Sequence, residues 1–152
     1  MIFNGLQQYT LVDNVNIDGD RPYHTANPYG IWYYGANNNT VNNSQMYNNS
    51  SAGIYFSNSS TRNTINNSQF YNNTYGVAYR YNSCQANIIN NSQMYNNGYG
   101  IWYGTVADYN TLNNSQVYNN NYGVFYYDAA SDNAINNSQI YNNTNHGIDY
   151  QA

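Results

Sequence analysis

The chain has 152 residues, of which three are arginine, seven are aspartate and none is lysine or glutamate, so its net charge at pH 7 is −4. With so few cations and no basic cluster, it lacks the charge pattern of proteins that bind nucleic acids or anionic membranes. Asparagine occurs 35 times and tyrosine 21 times, a composition also found in disordered, prion-like tracts. The apolar residues, however, recur at fixed positions, which indicates an ordered structure.

The first part of the chain is irregular. Residues 1–27 are predicted to form an N-terminal strand or cap and a first coil, and residues 28–152 a series of repeats. We expect residues 7–11 either to pair as an initial strand or to cover the end of the domain. Residues 14–20 carry oxygen-bearing side chains at alternate positions, as calcium loops do, but Thr25 stands where the bidentate acid would be needed. The sequence therefore favours a strand followed by a turn.

One motif of nine residues dominates the rest of the chain. It reads Ile-Asn-Asn-Ser-Gln-Phe-Tyr-Asn-Asn from Ile65, and closely similar motifs begin at Val41, Ile89, Leu112 and Ile135. The steps between them are 24, 24, 23 and 23 residues. A fixed period of this length predicts stacked units, each of which contacts mainly its neighbours.

Each repeat contains short apolar segments separated by polar corners, which is typical of strands. Residues 68–71 are predicted to form a strand in which Ser68 and Phe70 face the core and the other two residues face outward. After Gly76, residues 77–79 form another short strand. The position of Phe70 is apolar in every repeat, where it is occupied by Met46, Met94, Val117 and Ile140.

Three short strands and three bends in about 23 residues describe one coil of a parallel β-helix. In such a stack, equivalent residues of successive coils lie about 4.8 Å apart. An asparagine at the same corner of every coil can therefore pass an amide hydrogen bond along the stack and satisfy backbone groups at the bend. Asparagine also tolerates the left-handed backbone conformation that tight corners require.

The repeat resembles that of the right-handed parallel β-helix proteins of the pectin-lyase-like superfamily. The matching residues are Asn63-Thr64-Ile65, Asn72-Asn73 and residues 76–79, with a further likeness at residues 14–19, so that the resemblance covers about residues 10–150. It implies an all-β fold, a single-stranded right-handed parallel β-helix of about six coils. The superfamily includes lyases, hydrolases, phage tailspikes, surface adhesins and a copper-site maturation factor, so the resemblance leaves the function open.

Catalysis in this superfamily would require charged groups that converge. Asp108, Asp128 and Asp132 lie in variable loops and could gather on one ridge, which makes them weak candidates for catalytic carboxylates. A glycoside hydrolase needs two carboxyl groups at a defined separation across the sugar, and a lyase needs a base with a cation or metal. The nearest arginine is about two coils away, so we interpret these aspartates as solvated loop charges and lean against an enzyme.

We expect no metal or other cofactor. His24 and His146 lie at opposite ends of the chain, and the register gives Met46 and Met94 core positions, so ligands for copper do not converge. Cys84 lies alone in a variable loop and is interpreted as an unreactive free thiol. Asn-x-Ser/Thr sequons recur with the repeat, either as glycosylation acceptors or as a by-product of the asparagine corners.

The aromatic residues are the main functional signal. The first outward column is predicted to contain Tyr47, Tyr71, Tyr95, Tyr118 and Tyr141, and the second Trp32, Tyr55, Trp102 and Phe125, with interruptions at Ala78 and Asp149. Aromatic rings beside amides suit sugars or protein partners, although tyrosine also simply covers pleated sheets well. We assign weak binding of a neutral polysaccharide to Trp32, Tyr55, Trp102, Phe125, Tyr71, Tyr95 and Tyr118.

These features favour a non-catalytic structural or adhesive module of a surface or extracellular protein, possessing no membrane span. The alternative is a carbohydrate-active enzyme, either a polysaccharide lyase or a glycoside hydrolase. No secretory signal is visible at the start of the sequence. At the other end, residues 147–150 are predicted to form a strand with an uncharged edge, and such edges pair readily. We therefore expect end-to-end association of copies through Ile148 and Tyr150.

Overall fold

The structure is a computed structural model that describes residues 1–4, 8–19 and 28–151. This part of the chain forms 19 short strands and no helix, and the strands make three parallel sheets. Sheet 1 contains β2 (Leu11–Asp13), β5 (Thr40–Asn42), β8 (Thr64–Asn66), β11 (Ile88–Asn90), β14 (Thr111–Asn113) and β17 (Ala134–Asn136). Sheet 2 contains β3 (Asn16–Asp18), β6 (Gln45–Tyr47), β9 (Gln69–Tyr71), β12 (Gln93–Tyr95), β15 (Gln116–Tyr118) and β18 (Gln139–Tyr141).

Sheet 3 is the widest of the three sheets. It contains β1 (Ile2–Asn4), β4 (Tyr29–Tyr34), β7 (Ala52–Ser57), β10 (Tyr75–Tyr79), β13 (Tyr99–Tyr103), β16 (Tyr122–Tyr127) and β19 (His146–Gln151). Each coil contributes one strand to each sheet, and each strand pairs with its equivalents in the coils above and below. The chain is therefore a parallel β-helix, as the period predicts.

The register follows the repeat residue by residue. Phe70 lies opposite Met46 on one side and Met94 on the other. Phe70, Met94 and Val117 are fully buried, which confirms the predicted core face. Ile140 also packs against this core but is only partly buried, because β18 is the last strand of sheet 2.

Sheet 3 contributes a second buried row to the core. Its rings stack inside the helix with centroids 4.8 to 5.1 Å apart and belong to Tyr33, Phe56, Tyr79, Tyr103 and Tyr126. A spacing near the distance between strands is what in-register pairing imposes on identical positions. The interior is therefore filled by columns of side chains that run along the helix axis.

Asparagines form the corners, as expected. Asn67 and Asn72 have φ values of 51° and 55°, in the left-handed region, and the equivalent asparagines of the other repeats share this conformation. Inside the helix, Asn63 donates from its backbone and its side chain to the side-chain oxygen of Asn87, one coil further on. On the outer side of sheet 1, the Asn90 amide donates to Asn66. Corner asparagines thus form a buried inner ladder and a partly exposed outer ladder.

Part of the predicted first coil lies outside the described residues, including Gln7, His24 and Thr25. In the described part, the strand β2 begins at Leu11, so of the two alternatives for residues 7–11 the strand does not form at residues 8–10. The backbone N–H of Thr10 donates instead to the side chain of Asn39. A hydrogen bond to Asn39, a member of the buried asparagine ladder, therefore attaches this segment to the next coil.

Candidate functional site

The first aromatic column lies on the outer face of sheet 2. Its ring centroids are 4.8 to 5.1 Å apart, with planes within 11° of parallel, in the order Tyr47, Tyr71, Tyr95, Tyr118 and Tyr141. Rings stacked in this way cover each other's faces and leave their edges and hydroxyl groups at the surface. The column therefore offers a row of polar edges and few open faces on which a sugar ring could stack.

The second column lies outside the core on sheet 3, but it is not exposed along its whole length. Tyr55 is 6% exposed and Phe125 is 3% exposed, whereas Trp32 and Trp102 are half-buried. Tyr29 stacks on Tyr55 with centroids 4.5 Å apart. The ring of Tyr99 meets Phe125 edge-on at 5.3 Å. Tyr55 and Phe125, which the sequence predicts on an outward column, are therefore not open to a ligand, because tyrosines at the starts of neighbouring strands cover them.

Arg80 lies over this column, immediately after β10. Its guanidinium carbon is 5.5 Å from the ring centroid of Trp102, 5.8 Å from that of Tyr75 and 5.4 Å from that of Tyr81. These are cation–π distances. Within the described part of the chain, no carboxylate forms an ion pair with Arg80. The cation is therefore held by aromatic rings and keeps N–H donors for another partner.

A cleft of about 300 Å³ opens beside Arg80. It is lined by Arg80, Tyr81, Trp102, Gly104, Thr105 and Tyr127. Gly104 forms part of the wall, since a Cβ atom there would lie 3.2 Å from the indole nitrogen of Trp102. Thr105 donates a 3.1 Å hydrogen bond to the Asp128 carboxylate. The cleft thus combines a cation, an indole ring, phenol groups and a nearby acceptor.

Two further clefts continue this one along the helix axis. The second has a volume of about 220 Å³ and shares Tyr81 with the Arg80 cleft. The third, of about 200 Å³, shares Tyr29 and Trp32 with the second. Together they run from β1 to β16, which is five strand intervals or about 24 Å at about 4.8 Å each. We call this continuous surface the aromatic groove.

The three aspartates singled out from the sequence do not form one cluster in the groove. Asp108 accepts hydrogen bonds from the backbone N–H of Ser131 at 2.8 Å and from the side chain of Gln85 at 3.3 Å. Asp132 contacts the same serine, at 3.1 Å. Asp128 alone lies at the wall of the Arg80 cleft, through Thr105. The carboxylates occupy loops as the sequence predicts, but the interpretation as solvated charges is wrong for Asp108, which is buried and accepts a hydrogen bond from the backbone of a corner.

Comparison with Asn37 explains the position of Asp108. The side-chain oxygen of Asn37 accepts a 2.7 Å hydrogen bond from the backbone N–H of Thr61, one coil further on. Asp108 makes the same bond to Ser131 in a later pair of coils. The Asp108 carboxylate therefore replaces an amide oxygen at a repeated structural position. Asp108 and Asp132, which both contact Ser131, belong to this corner.

The remaining candidate groups are dispersed. Among residues 1–4, 8–19 and 28–151, no group of three or more His, Cys, Asp or Glu side chains could hold a metal ion. His146 stacks on Tyr122 at 5.9 Å. Cys84 is buried, and burial raises the pKa of its thiol to about 11. A thiol in this state is a poor nucleophile at neutral pH.

The family model for the right-handed β-helix region matches residues 2–152. The chain belongs to the right-handed β-helix family. Among solved structures, the A-module of the mannuronan C-5 epimerase AlgE6 from Azotobacter vinelandii is similar, with a TM-score of 0.59 and 21% sequence identity. The match covers 91% of this chain and 34% of that one, and at this identity it shows a shared fold alone.

No protein of the curated collections matches the chain. Among the described residues, no α-helix is long and apolar enough to cross a membrane.

Sequence reasoning identified Trp32 and Trp102 but missed Arg80 and Tyr81 as parts of the same site. The signal was present, because Arg80 directly follows a strand of sheet 3 and precedes an exposed tyrosine. What the sequence could not provide was the direction of its side chain.

Proposed function

We propose that this right-handed β-helix is a non-catalytic glycan-binding module of a surface or extracellular protein, and that it holds a polysaccharide in the aromatic groove. The observation that carries the proposal is the continuity of the groove past Trp32, Tyr81 and Trp102. Sugar rings have apolar C–H faces and polar rims. A long groove that alternates aromatic rings with hydroxyl and amide groups matches both parts of a sugar chain.

The charge at the centre of the groove favours a neutral polysaccharide. Arg80 contributes one positive charge to the cleft, and the negatively charged Asp128 accepts a hydrogen bond from Thr105 in the cleft wall. The protein as a whole carries a net charge of −4, which opposes the approach of a polyanion. The guanidinium N–H groups of Arg80 and the phenol group of Tyr81 are then donors to sugar hydroxyl groups.

Binding can be measured by affinity electrophoresis and calorimetry against a panel of neutral polysaccharides, with mannuronan as the acidic member of the panel. Replacing both Trp32 and Trp102 by alanine should weaken binding of the neutral ligand by about 5- to 150-fold, since each of the two ring contacts contributes about 0.5 to 1.5 kcal/mol. Tyr109→Ala is the matched control, because it removes a 60% exposed ring outside the groove. Full binding by the double tryptophan variant would refute the groove as the site.

The enzymatic alternative has a separate readout. The contact of Asp108 and Asp132 with the same serine is the feature that favours it. Prolonged incubation with each polysaccharide should release neither reducing ends nor unsaturated products, and should not change the configuration of its sugar units. Turnover that disappears in Asp108→Asn or Asp132→Asn would establish an enzyme and overturn the non-catalytic proposal.

A further inference from the structure

The tyrosine column of sheet 2 has a geometry that the proposed glycan site does not use. Four successive pairs of rings have centroid separations of 4.8, 5.0, 5.1 and 5.1 Å, and their planes differ by 1°, 11°, 9° and 5°. The column is also reachable from solvent, because Tyr47, Tyr71, Tyr95 and Tyr118 are half-buried and Tyr141 is exposed. Equivalent carbon atoms of neighbouring phenol rings therefore face each other about one strand spacing apart at the surface.

We propose that this column is a site of oxidative modification, in which a peroxidase and hydrogen peroxide join neighbouring tyrosines as dityrosine. The reaction requires two phenoxyl radicals close to each other, and in-register parallel strands hold five phenols in that relation. The buried pair Tyr79 and Tyr103 stacks at 5.1 Å and 8° inside the helix. It has the same geometry but no access to an oxidant, so it provides an internal comparison.

The chemistry balances with the named oxidant. Each of two tyrosines loses one electron and the phenolic proton, and hydrogen peroxide takes up both electrons and both protons to give two molecules of water. The two radicals then form one carbon–carbon bond between the positions ortho to their oxygens. The hydrogen atoms at those two carbons move to the phenolic oxygens through solvent, which restores both aromatic rings.

Burial raises the pKa of Tyr71, Tyr95 and Tyr118 above its usual value, and the negative charge that neighbouring tyrosines would carry when ionised adds to the effect. These three rings therefore remain neutral phenols before oxidation and can stay stacked. Each new bond would link residues 23 or 24 positions apart and tie one coil to the next.

The test uses the full chain, a haem peroxidase and hydrogen peroxide. We expect blue dityrosine fluorescence in a product that still migrates as a monomer, and mass spectrometry of a digest should find peptides that join Tyr71 to Tyr95 or Tyr95 to Tyr118. A product joined through Tyr79 and Tyr103 is not expected while the protein stays folded. The cross-linked protein should also unfold at a higher urea concentration than the untreated protein.

Two double variants separate stacking from tyrosine content. Tyr71→Phe with Tyr118→Phe leaves three tyrosines in the column but no adjacent pair, so the column's cross-linked peptides should disappear. Tyr47→Phe with Tyr141→Phe removes the same number of phenols but leaves two of the four adjacent pairs, so about half of those peptides should remain. Phenylalanine keeps the ring packing, and circular dichroism checks that both variants fold.

Three results would overturn the proposal. The first is an equal loss of the column's cross-linked peptides in both double variants, which would mean that yield follows tyrosine number alone. The second is coupling confined to other tyrosines, such as the pair Tyr99 and Tyr122, whose centroids are 4.9 Å apart. The third is dityrosine found only between separate molecules, which would show that stacking within the column does not direct the reaction.

Discussion

Replacing Asn87 by alanine tests whether the buried asparagine ladder holds the coils together. Asn87 is fully buried. Its amide donates to the carbonyl of Ser60 at 3.1 Å and to the side chain of Asn110 at 3.0 Å. Its oxygen accepts from both the backbone N–H and the amide of Asn63, each at 3.0 Å. One side chain therefore joins three coils.

The cost of the substitution follows from the groups that lose their partners. The backbone N–H of Asn63, one of its amide hydrogens and the carbonyl of Ser60 would be left buried and unpaired. Each such group costs about 1 to 3 kcal/mol, and water that enters the space left by the amide recovers a part. We therefore expect Asn87→Ala to lower the free energy of unfolding by about 3 to 5 kcal/mol, a large fraction of the stability of a typical domain.

Urea unfolding followed by circular dichroism measures this loss, with Asn90→Ala as the matched control. Asn90 lies three residues further on in the same coil and belongs to the outer ladder, where it is half-buried and its amide donates to Asn66 at 3.1 Å. Water replaces that bond, so the control should lose less than about 1.5 kcal/mol. Equal losses in the two variants, or a change below about 1 kcal/mol for Asn87→Ala, would refute the reasoning.

Three further changes test other parts of the structure. Val117→Asp should unfold the protein because an unpaired charge in the core costs several kcal/mol, whereas Gln116→Asp on the outer face should fold; a folded Val117→Asp protein would contradict the core register. Cys84 should resist alkylation until the protein unfolds, and rapid alkylation of the folded protein would contradict its burial. Burial also raises the pKa of its thiol to about 11. The contribution of Cys84 to stability is therefore complete below about pH 9 and is lost as the pH rises towards 11. Ile148 and Tyr150 are exposed on β19. We expect the unmodified 152-residue chain to self-associate through them, and the variant with lysine at both positions to be monomeric in light scattering. An unmodified chain that is monomeric at all concentrations would contradict this prediction.

Much of the candidate site could be located from the sequence, but its open surface could not. Trp32 and Trp102 were predicted on one outward column, and both line the aromatic groove. Strand alternation predicts only which side of a sheet a residue faces. Whether a ring is exposed depends on neighbours from other coils, such as Tyr29 over Tyr55. The same limit explains why Arg80 was missed.

The amino-acid sequence was enough to predict the fold, the coil period, the core face at Phe70 and the asparagine corners. Every coil makes the same contacts with the next, so a local pattern repeated at 23 to 24 residues already specifies the long-range pairing. Only the folded structure shows that Cys84 is buried, that Asp108 accepts a hydrogen bond at a corner and that Arg80 lies over Trp102. Cys84, Asp108 and Arg80 lie in loops whose sequence varies from coil to coil, and the direction of each side chain is fixed by packing against the adjacent coil.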